Sequence, residues 1–598
     1  MTELLTAAQM RAIEQAAIES GEVTGLELME RAGRGVVEAI LEEWPEYAKA
    51  PRRAVVLCGP GNNGGDGFVV ARLLKEQHWD VAVLLYGDAE KLPPDAKANY
   101  ERWSALGPTG NLTYEEFHQA RSGDVFVDAI FGTGLTRPVA GDLKDLLSKI
   151  AGGSGDYKRY HPRLVAVDLP SGLCSDSGRV LGGPPDDDPF SSPCPFARLT
   201  VTFDSPKIGH YLGRGPAHCG RLVIKDIGLK VWRMLDVPKD AGRLPGRRGY
   251  GFPYRPGRTW LLARDRTVQD GRFDLRPKPV LRWLGKAGWG THKYDHGHAL
   301  VVSGGVGKGG AARLAARGAL RIGAGLVTVG APPPAMSEHA AHLNAIMLAP
   351  IADSYALSGL LRDKRYKALC LGPGLGTGEG ARDLVRAALQ AKRATVLDAD
   401  ALTAFEGATE TLFRQLHKDC VLTPHEGEFA RLFPDIAKRM KGPEEPVWTP
   451  PPNLSEGPGM DLAYWEELAR QGDAYREALA NETGPAFSKV DAVREAAERT
   501  GCVVLLKGPA TVIGWGEIGA VAVHSAQYDR AAPWLATAGS GDVLAGFITG
   551  LMARGYDAMG AAEAAVWLHV ECARSFGPGL IAEDLPEELP KVFRSLDL

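Results

Sequence analysis

The sequence lacks the features that mark several specialised classes of protein. Its eight cysteines are scattered and form no CxxC pair, so we expect a reducing, cytoplasmic setting. No stretch approaches the roughly 18 consecutive apolar residues of a membrane span. The polar start, MTELLTAAQMRAIEQAA, has no secretory-signal pattern. The net charge of −4 gives no general attraction to nucleic acid or to anionic membranes, so we expect neither as a partner.

What the sequence does contain is ordinary globular composition over an unusual length. Hydrophobic residues make up 44% and charged residues 24% of 598 residues, which predicts two large domains or several smaller ones. Strand-like apolar runs alternate with helical segments in both halves, a rhythm typical of an α/β fold with mostly parallel sheets covered on both faces. In the first half the predicted strands are Ala54–Cys58, Val81–Tyr86, Asp124–Ile130, Leu164–Asp168, Leu199–Phe203 and Leu222–Ile224.

The alternation is interrupted in three places. Residues 228–290 are rich in Arg, Pro, Gly and Trp and predict a linker or irregular insertion; residues 182–195 and the region near 436–490 predict further insertions. Strand-like runs resume after the linker, at His298–Ser303, Leu326–Gly330, Ala368–Leu371, Thr395–Asp398, Cys420–Leu422 and Cys502–Leu506. We therefore predict one domain over residues 1–227 and another over 291–598.

The first half carries a glycine-rich turn, GPGNNGGDG, directly after a predicted strand. Gly59, Gly61 and Gly64 satisfy GxGxxG, but a tight structural turn explains such glycines equally well. The polar residues Asn62, Asn63 and Asp66 favour a ligand site, because a purely structural turn does not need them.

Two further loops follow strand ends, DAIFGTGLTRPVAG from Asp128 and DLPSG from Asp168. Ligands of open parallel sheets gather at the carboxyl ends of the strands, so these loops are expected to converge on one crevice. Asn63, Asp128 and Ser171 offer hard oxygen donors that suit an alkali or alkaline-earth cation.

These motifs, together with TFDSPKIGH at 202–210, resemble the NAD(P)H-hydrate epimerase family over residues 1–227. The resemblance implies a Rossmann-like three-layer domain, potassium held by Asn63, Asp128 and Ser171, and Asp168 as the catalytic group at the reacting nicotinamide ring. A salt-bridged structural role for Asp168 remains the alternative. It also implies that the hydrated dinucleotide contacts Asn62, Asn63, Gly64, Gly65, Asp66, Gly132, Thr133, Gly134, Leu135, Thr136, Arg137, Pro138 and Asp168.

The second half places polar or glycine-rich motifs after its own strands: LGPGLGTG at 371–378, LDADAL at 397–402, LTPHEGEFARL at 422–432, LLKGPATVIG at 505–514 and TAGSGDVLAGFITGLMARG at 537–555. In the last motif, glycines precede an amphipathic helix, so free N–H groups face whatever binds there. Asp542 at that helix start is well placed as a base. Phosphotransferases that activate a hydroxyl use such an anion hole with an aspartate.

With GGAARLAARGALRIGAGLV, these motifs resemble the ADP- or ATP-dependent NAD(P)H-hydrate dehydratase family over residues 291–598. The resemblance implies a ribokinase-like α/β domain, Asp542 as catalytic base, and magnesium with the nucleotide. The hydrate would contact Ala311, Gly374, His425 and Asp542. The nucleotide would be held by Lys507, Gly508, Pro509, Ala510, Thr511 and Gly541.

Together the halves predict a bifunctional enzyme that interconverts the R and S forms of NAD(P)H hydrate and dehydrates the S form. ADP is favoured over ATP as the donor, and we expect a homo-oligomer. The main alternative is a ribokinase-like kinase for a small molecule such as a vitamin precursor. A dehydrogenase built on GxGxxG fits NNGGDG and DLPSG poorly. A chain with one non-catalytic half is disfavoured, because the polar motif positions are filled in both halves.

Overall fold

The computed structural model describes residues 2–50, 52–120, 123–151, 163–183, 193–234, 258–262, 267–269, 272–274, 284–286, 292–443 and 462–596. The chain divides into two compact units. The first unit comprises Leu4–Val237 and Lys441–Ser488, and the second comprises Met1–Glu3, Pro238–Met440 and Lys489–Leu598.

The strands are β1 (Thr2–Leu4), β2 (Arg53–Cys58), β3 (Asp80–Leu85), β4 (Thr109–Asn111), β5 (Val125–Ala129), β6 (Leu164–Val167), β7 (Leu199–Phe203), β8 (Arg221–Lys225), β9 (Thr259–Leu261), β10 (Thr267–Gln269), β11 (Arg272–Asp274), β12 (His298–Val302), β13 (Leu326–Ala331), β14 (Met347–Pro350), β15 (Tyr366–Leu371), β16 (Ala394–Leu397), β17 (Cys420–Leu422), β18 (Val503–Leu506), β19 (Ala510–Trp515) and β20 (Ala520–Ser525).

The helices are α1 (Ala7–Glu19), α2 (Gly25–Glu43), α3 (Asn62–Glu76), α4 (Pro94–Ser104), α5 (Tyr114–Ala120), α6 (Gly141–Ile150), α7 (Gly215–His218), α8 (Gly310–Arg321), α9 (Met336–His342), α10 (Ser354–Leu360), α11 (Glu379–Gln390), α12 (Asp400–Thr403), α13 (Thr409–Phe413), α14 (Glu426–Leu432), α15 (Pro434–Lys441), α16 (Leu462–Ala480), α17 (Lys489–Thr500), α18 (Ser540–Ala553), α19 (Ala558–Phe576) and α20 (Asp584–Ser595).

The first unit is built on a parallel sheet in the order β4-β3-β2-β5-β6-β7-β8. Strand β2 shows why it has three layers, because alternate side chains point to opposite faces. Ala54, Val56 and Cys58 join one buried cluster with α2, α3 and α4. Val55 and Leu57 join another with α5 and α6. The sheet is therefore covered on both faces, as the continuous apolar strands predict.

The second unit contains a sheet in the order β1-β9-β20-β19-β18-β17-β16-β15-β12-β13-β14. All neighbouring strands along the stretch β18-β17-β16-β15-β12-β13-β14 of this sheet pair in parallel. Strand β19 pairs antiparallel with both of its neighbours, β18 and β20. Helices α8, α18 and α19 pack on one face through small residues, among them Ala315, Ala319 and Gly546. The predicted α/β class is confirmed in both units.

Most of the predicted linker at 228–290 lies outside the described residues, as does most of the predicted insertion at 182–195. Within the linker, Thr259–Leu261 is regular strand and pairs in parallel with β20. Residues 441–488 cover most of the stretch predicted as an insertion in the second domain, and they group with the first unit. Within the described part of the chain, no helix combines the length and the apolarity that a bilayer crossing requires.

Candidate active sites

The glycine-rich motif of the first unit is the start of a helix rather than a loop before one. Helix α3 begins at Asn62, so Asn62–Asp66 form its opening turns. The amides of the first turn have no partner inside the helix and can face an anion, whereas the Gly65 N–H already donates to the Gly61 carbonyl oxygen at 3.2 Å. Gly59 and Gly64 are required by packing, because backbone oxygens lie where a Cβ would be. A Cβ on Gly64 would lie 2.0 Å from the carbonyl oxygen of Gly59, and one on Gly59 would lie 1.8 Å from that of Ile130.

Asp168 is held at the end of β6 by a ring of donors. Its φ of 66° is in the left-handed region, which few non-glycine residues adopt. One carboxylate oxygen, Oδ2, accepts the Thr133 N–H at 3.1 Å. The other, Oδ1, accepts the Thr202 hydroxyl at 2.8 Å and lies 3.2 Å from the Lys207 Nζ. The His210 ring contacts the Asp168 carbonyl oxygen at 2.8 Å.

The electrostatics of this cluster fix Asp168 as a carboxylate. Burial raises its pKa, but Lys207, His210 and the hydrogen bond from Thr202 outweigh burial and place the pKa below its ordinary value. Neighbouring acids behave in the opposite way. Burial and the charge of Asp168 raise the pKa of Asp66 well above its ordinary range. Burial raises the pKa of Glu14 to about 7, with Lys207 lowering it and Asp168 raising it further.

The three loops predicted to converge do so at Gly132. A Cβ on this residue would lie 3.0 Å from the Asn63 Oδ1 and 3.1 Å from the Asp168 Oδ2. The start of the 132–138 loop therefore passes between the polar end of α3 and the end of β6. Any side chain at this position would fill the gap between Asn63 and Asp168.

Asp128 and Ser171 form a second buried pair in the same crevice. The Asp128 carboxylate accepts the Ser171 hydroxyl at 2.6 Å and the Ser171 N–H at 2.8 Å. Burial raises the pKa of Asp128, and hydrogen bonds from Ser171 and Ile130 lower it in part. Those hydrogen bonds come from neutral groups, so the buried charge has room for a cation. The nearby Asn63 amide nitrogen has no hydrogen-bond partner within the described part of the chain. The oxygens of Asp128, Ser171 and Asn63 are hard donors of the kind that an alkali cation takes, whereas the Asn63 N–H groups suit an acceptor atom of a ligand.

A cavity of about 300 Å³ lies beside the crevice. The loop from Gly134 to Pro138 forms one wall, and Tyr86 and Phe131 meet edge to face with their ring centroids 6.3 Å apart. An aromatic-lined cavity next to polar groups is the usual form of a small-molecule site.

In the second unit, two glycine-rich loops touch through their backbones. A Cβ on Gly304 would lie 1.7 Å from the Gly374 carbonyl oxygen, and one on Gly374 would lie 2.4 Å from that of Lys308. Gly374 has a φ of 68°. Gly376, with a φ of 86°, faces open space, so the close packing belongs to Gly374.

A buried ion pair organises the polar end of the second sheet. The Lys507 Nζ lies 2.8 Å from the Asp398 Oδ1 and 3.9 Å from the Glu428 Oε2. Burial lowers the pKa of Lys507, but Asp398 and Glu428 outweigh that effect and raise it. Asp398 also accepts the Thr423 hydroxyl at 2.8 Å. The ammonium group of Lys507 is therefore paired with the carboxylates of Asp398 and Glu428.

Asp542 lies in the first turn of α18, whose N-cap Gly539 is left-handed at φ 86°. Burial raises the pKa of Asp542 to about 7; Asp398, Asp400 and Glu428 raise it, and Lys507 lowers it. Asp542 is thus poised to exchange a proton near neutral pH. A Cβ on Gly541 would lie 3.5 Å from the Lys507 Nζ, so the helix start adjoins the ion pair.

The other predicted residues lie on elements that adjoin α18, Glu428 or Lys507. His425 caps α14, where its ring Nδ1 accepts the Gly427 N–H at 3.0 Å and its backbone N–H donates to the Glu428 Oε2 at 2.8 Å. Ala311 lies on α8, which packs against α18. Gly508 to Thr511 lead from Lys507 into β19.

Sequence reasoning did not identify several residues of the two sites. Thr202, Lys207 and His210 lie in TFDSPKIGH. This motif contributes to the family resemblance, but the sequence indicates no role for any of its residues. Asp398 and Glu428 were visible at a strand end and a helix start, and only the structure shows them sharing Lys507. Glu14 comes from α1, and nothing in the sequence distinguishes it from a surface glutamate.

Two family models match the chain, one in each of the two halves that carry the motifs. Residues 25–209 match the model for the YjeF-related protein N-terminus, and residues 299–445 and 477–591 match the model for NAD(P)H-hydrate dehydratase. The "Bifunctional NAD(P)H-hydrate repair enzyme Nnr" of Moorella thermoacetica is 32% identical, over 99% of this chain and 97% of its own length. The chain belongs to the bifunctional NAD(P)H-hydrate repair enzyme family. The predicted resemblance is confirmed, and the two predicted activities, epimerase and dehydratase, are those of this family.

The chain is also similar to other curated proteins and to solved structures. The Coxiella burnetii enzyme of the same name is 32% identical, over 98% of both chains. A Rhodobacter capsulatus NAD(P)H-hydrate epimerase is 46% identical, over 38% of this chain and all of its own length. Among solved structures, the Bacillus subtilis ADP/ATP-dependent NAD(P)H-hydrate dehydratase co-crystallised with ATP/Mg2+ is 24% identical, with a TM-score of 0.38, over 53% of this chain and 96% of its own.

Proposed function

We propose that the first unit interconverts the R and S forms of hydrated NADH and NADPH. We propose that the second unit dehydrates the S form with ADP or ATP, giving AMP or ADP and phosphate. The observation that carries the proposal is the pair of aspartates at the carboxyl ends of the two sheets. Asp168 is held charged by Lys207, and Asp542 has a pKa of about 7.

In the first unit, Asp168 is the group that handles protons at the hydroxyl-bearing carbon of the nicotinamide ring. Inverting that carbon requires water or hydroxide to leave one face and return to the other, with a proton moving each way. Asp168, which rests as the carboxylate, can accept that proton transiently and return it. The Gly134–Pro138 wall of the cavity supports binding of the rest of the dinucleotide.

In the second unit, Asp542 takes the proton from the ring hydroxyl as the phosphoryl group of the nucleotide is transferred to that oxygen. The amides at the start of α18 suit the anionic phosphoryl group. Breaking the carbon–oxygen bond then releases phosphate, and loss of a ring proton restores the dihydronicotinamide double bond. A base with a pKa near the working pH suits the first step.

Two cations belong to the proposal. Asn63, Asp128 and Ser171 would hold potassium, which would neutralise the buried Asp128 charge and order the crevice. Magnesium would accompany the nucleotide, bound by one or two carboxylates and phosphate oxygens.

A cytoplasmic location and a homo-oligomer complete the proposal. All eight cysteines are buried, as suits a reducing compartment. Light scattering of the purified protein would measure the assembly mass and test the oligomer directly.

The function is tested by absorbance at 340 nm on a mixed R and S NADH hydrate with ADP or ATP and magnesium. Recovery of NADH from the whole mixture is expected, and the faster nucleotide identifies the donor. Recovery that stops with one epimer left would overturn the epimerase assignment. No recovery with either nucleotide would overturn the dehydratase assignment and favour a small-molecule kinase.

A further inference from the structure

One stretch of the chain belongs to the second half by sequence and to the first unit by packing. The match to the dehydratase model is interrupted between residues 445 and 477, and residues 441–488 group with the first unit. We call residues 479–486, which begin at the last two residues of α16, the clasp segment. Every contact described below lies within the first unit.

The clasp segment holds the loop that walls the cavity. The Gly484 N–H donates to the Thr136 carbonyl oxygen at 2.9 Å. A Cβ on Gly484 would lie 3.1 Å from the Leu135 carbonyl oxygen and 3.4 Å from the Thr136 Cα, so the two backbones are in close contact. Ala486 is buried in a small apolar cluster against Leu135, Cys174 and Leu181.

The clasp segment also holds the loop after β6. Cys174 and Arg179 pair backbone to backbone in a short hairpin that begins just beyond Ser171. The Arg179 guanidinium lies 2.8 Å from the Glu482 Oε1, and the Gly182 N–H donates to the Glu482 Oε2 at 3.0 Å. The Glu482 side chain is only 7% exposed. One Glu482 oxygen forms an ion pair and the other accepts a hydrogen bond, so this buried carboxylate fixes the position of the hairpin. Removing it would leave the Arg179 charge without its partner.

Both loops lead to the proposed epimerase site. The 132–138 loop begins beside Asp168 and forms the cavity wall, and the hairpin continues from Ser171, the partner of Asp128. We propose that the clasp segment is a positioning element of the epimerase, with Glu482 as its main anchor. It fixes the cavity wall and so sets the affinity for the hydrated dinucleotide. This inference rests on the proposed function of the first unit.

The test compares Glu482→Ala with Glu482→Gln and with Glu477→Ala in the full-length protein. Glu477 lies on α16, five residues before Glu482, and is exposed, so it is a matched control. Conversion of purified R to S NADH hydrate, without nucleotide, is followed by chromatography to give KM and kcat. Dehydration of the S form with ADP and magnesium, read at 340 nm, reports on the second unit, and a thermal midpoint reports on folding.

Glu482→Ala is expected to raise the epimerase KM about tenfold, with kcat little changed. A displacement of about 1 Å in a site can cost roughly 100-fold in activity, and a tenfold effect lies within that range. Glu482→Gln, whose amide oxygen still accepts the Gly182 N–H, is expected to recover part of the affinity. Dehydration and the Glu477→Ala kinetics are expected to match wild type. An unchanged KM in Glu482→Ala, or equal losses of kcat, dehydration and thermal midpoint, would overturn the positioning role. Wild type that dehydrates the S form but does not interconvert epimers would overturn the epimerase function itself.

Discussion

Asp168 and Asp542 occupy comparable places in their units and have opposite protonation behaviour. Each lies where the chain leaves or enters an element at the polar end of a sheet. Asp168 contacts a fully buried lysine, Lys207, and its pKa falls below the ordinary value. Asp542 lies among Asp398, Asp400 and Glu428, and its pKa rises to about 7.

The difference lies in how each unit uses its lysine. In the first unit the Lys207 ammonium lies 3.2 Å from the Asp168 carboxylate itself. In the second unit Lys507 is paired with Asp398, so Asp542 receives only part of its charge. A buried aspartate therefore becomes a fixed anion or a neutral-pH base according to which carboxylate the local cation neutralises.

Asp542→Asn gives the largest expected effect. Dehydration of the S form should fall about a thousandfold, in the range for loss of a general base, while interconversion of R and S continues. The measurement is NADH recovery at 340 nm beside chromatography of the epimers. Dehydration comparable to wild type would remove Asp542 as the base.

Asp168→Asn should give the reverse pattern with a somewhat smaller effect. Epimer exchange should fall about a hundredfold, and dehydration of pure S hydrate should persist. Starting from the mixed epimers, NADH recovery should then stop near the S fraction. Epimer exchange at the wild-type rate would leave Asp168 as a structural residue.

Lys207→Met should sharpen the comparison by making the first aspartate resemble the second. Removing one partner of a buried pair should destabilise the first unit by about 3–5 kcal/mol and raise the pKa of Asp168. Epimerase kcat/KM should drop about tenfold at pH 7, and its acid limb should move to higher pH. The exposed Lys144 on α6 supplies the control, Lys144→Met. An unshifted acid limb would show that Lys207 does not set the charge of Asp168.

The smallest expected effect is in the pH profile of dehydration. A base with a pKa of about 7 is about half deprotonated at pH 7, so kcat/KM should rise about twofold from pH 7 to 8.5 and fall as the pH drops through 7. Glu428 raises that pKa, so Glu428→Gln should move the midpoint to lower pH. A midpoint that stays in place or rises would contradict the assignment of the titrating group to Asp542.

Much of the fold was predictable because its signals are local. Runs such as LVAV and ALVV are continuous apolar strands, and helices such as α6 carry a periodic apolar face. The glycines and asparagines of GPGNNGGDG predict a turn, whereas the structure places the residues from Asn62 onward in the first turns of α3. The strand Thr259–Leu261 was missed because three residues carry no periodicity, and its pairing with β20 decides its state.

By itself, the sequence determined the α/β class and the order of the two sets of motifs, because residue type and spacing along the chain carry that information. The family resemblance of those motifs pointed to Asp168 and Asp542 as the aspartates to test. Only the tertiary structure decided the charge state of those aspartates and the place of residues 441–488. Charge state depends on which side chains from distant strands meet in a buried space, as Lys507 meets Asp398. The packing of an insertion depends on partners far away in the chain, as Glu482 meets Arg179, and no local pattern records such a pairing.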